Sequence, residues 1–170
     1  MAVDSKVILQ RLAFVVYEHP DLDTFKTFAK DFGLEEDVDH SKNDVIYFRG
    51  YGKDRYVYVA RRAPDGVTKR FVGGGFVANS AVDFERACRI PGAKVVDVSS
   101  RPGGGKLAVI KDPNGFEMQV LYGQEEQTPP EHGVSVCAGG HPPTNGALDK
   151  HRKGKAFWIH TAIYLILMYI

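Results

Sequence analysis

The sequence predicts an α+β fold made of two copies of a βαβββ unit. Three observations carry that prediction. Strand-type and helix-type segments follow one another in the same order twice. A shift of 59 residues lays Tyr17 on Phe76, Asp21 on Ser80, Phe25 on Phe84, Ala29 on Cys88 and Gly33 on Gly92. Each half also opens its helix with a capping side chain and ends it at a glycine.

The first half begins at Gln10–Tyr17, a run rich in Val, Leu, Phe and Tyr that predicts a buried strand ended by His19-Pro20-Asp21. Asp21 caps a helix with apolar positions Leu22, Phe25, Phe28, Ala29 and Phe32, the spacing of one buried face, and Gly33 stops it. Three strands are expected at residues 35–39, 44–49 and 55–61. The second half repeats the order. Arg70–Ala78 is a strand, Ser80 caps a helix carrying Val82, Phe84, Ala87 and Cys88, and Pro91-Gly92 ends it. Strands at 93–99, 106–111 and 116–122 follow. Asp112-Pro113-Asn114-Gly115 forms the turn between the last two. Two such units join their sheets into a curved cup with the helices outside, and the concave side is the natural ligand site.

The chain has 170 residues, 44% of them hydrophobic, and a formal charge of +1. That suffices for one domain with a real core, here residues 10–123. Lys and Arg are scattered, which argues against nucleic acid or an anionic membrane as partner. Two cysteines, Cys88 in a helix and Cys137 in a Gly/Pro-rich stretch, suggest reduced thiols in the cytoplasm. The N-terminus lacks the apolar core of a secretory signal. Residues 124–158 hold Pro129, Pro130, Pro142 and Pro143 and predict a linker or arm. Residues 159–170 form an uncharged apolar tail. It is about half the length that spans a bilayer, so no membrane span is expected. The tail is either an appended end or an element docked on the domain.

Several residues invite a functional reading and favour a plain one. His19 is expected at a loop surface. His40, His132, His141, His151 and His160 are dispersed, without the short spacing of a zinc site. Val72-Gly73-Gly74-Gly75-Phe76 lacks the Lys-Ser/Thr of a phosphate loop and lies in a strand. Its glycines predict a bulge or a close approach of two backbones. Tyr47, Tyr51, Tyr56 and Tyr58 are strand residues first and cup lining second.

The stretch Leu12-Ala13-Phe14-Val15-Val16-Tyr17 with Asp21-Leu22, and the turn Lys111-Asp112-Pro113-Asn114-Gly115-Phe116-Glu117-Met118-Gln119, resemble the opening strand and the last hairpin of the vicinal-oxygen-chelate superfamily. That superfamily holds glyoxalases, bleomycin-resistance proteins and extradiol dioxygenases. The resemblance implies a divalent metal, Fe(II) or another, held by His, Glu or Gln on strands lining the cup. Its positions fall on Phe14, Gly73, Tyr58 or Ala60, and Gln119. Phe and Gly cannot ligate, and one neutral amide oxygen does not hold a metal. The expectation is therefore no catalytic residue, no metal ligand set and no cofactor in this chain. In two-module extradiol dioxygenases the N-terminal module keeps the fold without the ligands, and this chain resembles that module. Residues 145–158 resemble the passage between modules, and the metal-bearing second module is expected to be missing. The alternatives are a metal-free binder of small aromatic molecules, as in bleomycin resistance, or a glyoxalase or dioxygenase with a metal site the sequence does not reveal. A homodimer, or pairing with a second module, would complete either arrangement.

Overall fold

A computed structural model describes residues 6–128. Within it, residues 6–50 and 54–127 belong to one compact unit. The predicted arm and tail lie almost wholly outside the described residues.

The elements are β1 (Leu9–His19), α1 (Leu22–Phe32), β2 (Glu35–Glu36), β3 (Val45–Arg49), β4 (Tyr58–Arg62), β5 (Arg70–Ala78), α2 (Ala81–Cys88), β6 (Lys94–Val96), β7 (Lys106–Lys111) and β8 (Glu117–Tyr122). The strands form one sheet in the order β2-β3-β4-β1-β5-β8-β7-β6. Each repeat contributes four neighbouring strands, with its first strand parallel to its last. The repeats meet where β1 and β5 run antiparallel. The predicted α+β fold of two βαβββ units is what the chain forms.

Local chemistry explains the boundaries. The Asp21 side chain accepts from the N–H groups of Asp23 and Thr24, and Ser80 accepts from Asp83 N–H, so both helices start where the sequence places them. Gly33, at φ 97°, closes α1 by donating to the Ala29 and Lys30 carbonyls, in a backbone region that a side chain disfavours. The Asp112 carboxylate accepts from Asn114 N–H and Phe116 N–H, both at 2.8 Å, and Gly115 N–H donates to the Asp112 carbonyl. That is the physical content of the Asp-Pro-Asn-Gly signature: the Asp side chain holds the turn that aligns β7 with β8.

β2 and β6 are shorter than the strands expected at 35–39 and 93–99. Asp37 accepts from His40 N–H and Asp97 from Ser99 N–H, and each side chain turns the backbone out of the ladder. Phe28, Phe32 and Val82, expected on buried helix faces, are exposed by 54%, 38% and 57%. A single helix lying on a sheet buries a narrow stripe. At ~100° per residue Leu22, Phe25 and Ala29 fill that stripe on α1, and Phe28 turns away from it.

The shift of 59 residues holds for the start of both helices and for β1 against β5. It fails by one in the last strands. Val15 lies beside Tyr58, whereas its counterpart Gly74 lies beside Met118, 60 positions beyond Tyr58. Strand side chains alternate between faces, so a slip of one residue exchanges inside for outside.

Two layers of packing result. On the outer face α1 covers Tyr17, Phe48 and Tyr58, with the Phe25 ring stacked 4.9 Å from Tyr58 and edge-on to Phe48. α2 covers Ala78, Ala108 and Val120 with Phe84 and Ala87. On the inner face Ala13, Phe14, Val16, Tyr47, Tyr56, Val59, Val98, Leu107 and Leu121 form one cluster, so much of the cup is filled by the protein's own side chains.

Candidate functional site: the inner face of the cup

The predicted ligand positions separate once faces are assigned. Phe14 is fully buried, and its ring lies 4.7 Å from that of Tyr56. Directly across the seam is Gly75, where an added Cβ would fall 2.1 Å from the Phe14 ring. The absence of a side chain at Gly75 therefore makes room for Phe14. Gly73 pairs with Val16, and an added Cβ there would lie 1.9 Å from the Glu117 carbonyl oxygen. This is the close backbone approach that the glycine run predicts, and the β1–β5 pairing is irregular nearby.

Tyr58 and Ala60 are corrected. Tyr58 stacks on Tyr17 and Phe25 on the helix side, so Ala60, two residues on, shares that side. The inner-face counterpart of Gln119 is Val59, which packs in the same cluster as Phe14. The four positions thus carry Phe14, Val59, Gly73 and Gln119.

The sequence reading missed the polar group beside them. Gln119 is fully buried, and its Nε2 donates to Glu117 Oε2 at 2.7 Å. Arg61 of β4 reaches the same oxygen at 3.4 Å, joining the last strands of the two repeats. Gln119 Oε1 is buried without a hydrogen-bond partner. Glu18 sits beside Arg61 in the β1–β4 register and accepts from Arg70 at 2.6 Å. Burial pushes the Tyr47 hydroxyl pKa up, against the opposing fields of Arg101 and Arg61. Tyr56 shifts the same way, with Arg101 again the main opponent. Arg101, from the loop before β7, thus acts on these two hydroxyls. Glu117 was legible, since alternation from Gln119 puts it on the same face. Arg61 was not, because its face depends on the one-residue slip.

A divalent ion does not suit these residues. Three of the four positions offer no donor atom, the fourth offers a neutral amide oxygen, and the nearest carboxylate already faces the Arg61 guanidinium. Among the described residues no three of His, Cys, Asp and Glu come together as a metal site.

His19 is not the surface residue expected. It is 5% exposed, its ring stacks 3.8 Å from Phe25, and its Nε2 is 2.9 Å from the Tyr58 hydroxyl. It extends β1 by two residues beyond the predicted Tyr17 and lies on the outer face under α1, away from the cup. Burial, then the field of Lys69, lowers its pKa to about 4. Of the four tyrosines, Tyr47 and Tyr56 join the cup cluster, while Tyr58 belongs to the helix side. His40 hydrogen-bonds Asp37 in a turn. His132, His141, His151, His160 and Cys137 lie outside the described residues.

Gln124–Gln127, the start of the predicted arm, are tied to the domain. Gln124 Nε2 donates to the Pro102 carbonyl, Glu125 N–H to the Gly103 carbonyl, and Gln127 Nε2 to the Gly50 carbonyl. No helix among the described residues is long and apolar enough to cross a membrane.

Two four-stranded repeats joined through antiparallel first strands, with helices outside and a lined cup inside, define the vicinal-oxygen-chelate fold, and this chain has it. Among solved structures it is similar to the Mn(II)-bound glyoxalase from Novosphingobium aromaticivorans, at 24% identity and a TM-score of 0.59. It is also similar to homoprotocatechuate 2,3-dioxygenase from Brevibacterium fuscum, at 17% identity and a TM-score of 0.61. Each match covers 72% of this chain, but 42% of the glyoxalase and 35% of the dioxygenase, so the chain spans less than half of either. At these identities the likeness is one of fold. No protein-family model and no curated protein matches the sequence.

Proposed function

We propose that this chain works as a metal-free module of the vicinal-oxygen-chelate fold, in the manner of the non-catalytic N-terminal module of an extradiol ring-cleavage dioxygenase. The observation that carries the reading is the Phe14 ring seated on Gly75 at a position where the family's metal is held. Phe14 offers no ligating atom, and Val59 and Gly73 supply no second donor. The module's role is then structural: it supports a metal-bearing module, or pairs with a second copy. The unpaired thiol of Cys88 supports a reducing, cytoplasmic setting.

Elemental analysis of the purified chain after dialysis tests this. The expected result is no stoichiometric Fe, Mn, Zn or Ni and no catechol ring cleavage by the chain alone. One equivalent of metal retained per chain would overturn it and return the family's metal-dependent chemistry to consideration.

A second reading, metal-free binding of a small molecule in the cup, is favoured by one observation. Gln119 Oε1 is a buried acceptor with no donor, and such atoms are few in folded proteins. The aromatic side chains Tyr47 and Tyr56 of the inner-face cluster would serve a planar ligand as well as a core.

A further inference from the structure

We infer that the polar end of the cup binds a small hydroxycarboxylate, with Arg61 taking the carboxylate and Gln119 Oε1 accepting from the hydroxyl. The inference rests on the metal-free reading of the cup and gives the second of its forms a ligand class.

Two groups on the inner face are short of partners in opposite senses. Arg61 carries five N–H donors, and among the described residues its guanidinium makes one hydrogen bond, at 3.4 Å. That is long for a charge-assisted bond, which runs near 2.8 Å. Gln119 has spent its Nε2 on Glu117 and keeps Oε1 as an acceptor with nothing to accept. Both converge on one oxygen of Glu117, so a short molecule can address both. A guanidinium favours two oxygens held side by side, the geometry of a carboxylate. A lone acceptor a few bonds away selects a hydroxyl on the neighbouring carbon.

Charge and size narrow the class. Arg61 faces Glu117 and Arg70 faces Glu18, so these four charges balance, and it is the under-used Arg61 guanidinium that selects an anionic end. Phe14, Tyr47 and Tyr56 occupy the rest of the inner face, which confines the ligand to a few carbons at the polar end. Access runs through the Arg61–Glu117 pair, whose side chains are 27% and 21% exposed while Gln119 is sealed. The ligand carboxylate replaces Glu117 on Arg61 and opens the way to Oε1.

Titration calorimetry on the full chain with glycolate and acetate tests this. Glycolate is expected to bind at least ten times more tightly than acetate, which lacks the hydroxyl. Arg61→Met should weaken glycolate at least tenfold, with Arg61→Lys in between. Gln119→Met should erase the preference for glycolate over acetate while leaving acetate unchanged. Thermal melts establish that each variant is folded, and a misfolded Gln119→Met leaves the Arg61 pair to decide. Equal affinity for glycolate and acetate, or glycolate binding untouched in Arg61→Met, would overturn the inference. Repeating the titration after chelator dialysis separates the two proposals: glycolate binding lost with the chelated metal sinks the metal-free reading, whereas a metal-free chain without selectivity sinks only the hydroxycarboxylate site.

Discussion

The two repeats share a topology and differ in how they fill it. The first is aromatic on both faces: Phe14, Tyr47 and Tyr56 inside, Tyr17, Phe25, Phe48 and Tyr58 outside. The second is built more of small residues, with Gly73, Gly74 and Gly75 in its first strand, Ala78 and Ala108 under its helix and Ala87 on the helix's buried face. At the seam the difference becomes complementarity, since Phe14 occupies the space that Gly75 leaves. A duplicated fold need not use its halves alike. One half can take the bulk and the other the room.

The largest effect should come from breaking that complementarity. Gly75→Val would drive a branched side chain into the Phe14 ring, and Phe14→Ala would empty a fully buried site at about 3–5 kcal/mol. The double variant Phe14→Ala/Gly75→Val should recover at least ~1 kcal/mol against the sum of the singles, by denaturant unfolding. Strict additivity would mean that the two residues do not share the space.

Phe25 and Phe84, equivalent in the two helices, sharpen the comparison. Phe84 is 6% exposed and packs among Ala78, Ala108 and Val120 with one ring, Tyr122, beside it, whereas Phe25 is half-buried within a group of rings. Phe84→Ala should cost about 3–5 kcal/mol. Phe25→Ala should come close to it, because its stacks on His19 and Tyr58 are lost with its burial. A negligible loss at Phe25 would show that α1 is held by Leu22 and Ala29 alone.

Much of this was legible in the sequence. Asp21, Ser80 and Gly33 announce their own roles because caps act within a turn, and the Asp112 side chain fixes its hairpin locally. The equivalence of residues 14 and 73 in the first strands of the two repeats was legible too, because each lies seven residues before a helix cap. What failed depends on distant contacts. Tyr58 and Ala60 were assigned inward because a constant shift cannot sense one extra residue before β8. His19 looked exposed because a His-Pro pair reads as a loop, and the burial comes from Phe25 and Tyr58, which only the fold brings near. Arg61 joined the site for the same reason.

The smallest effect expected concerns His19, which has no histidine counterpart in the second repeat, where Ala78 stands in its place. Its folded pKa of about 4 lies below the ordinary 6.5, so the fold holds the neutral ring. The stability this confers is full above pH ~6.5, falls as the unfolded chain takes up a proton, and levels off below about 4. The loss between those limits should be up to ~3 kcal/mol. Urea midpoints at pH 7 and pH 4.5 should differ less in His19→Gln than in the parent chain, and equal pH dependence would remove His19 as the source.

The seam has a consequence in time as well as in space. β1 and β5 pair residues about sixty positions apart, and both parallel pairings need a helix and two strands to form between the partners. No half of the sheet closes by hairpins alone, so a large loop must be fixed before the central contacts repay its entropy. Such long-range wiring places the chain among slow folders, on the millisecond-to-second scale. While the seam is open, β1, with its apolar run at residues 12–17, is an unpaired strand that can meet another chain before it meets β5.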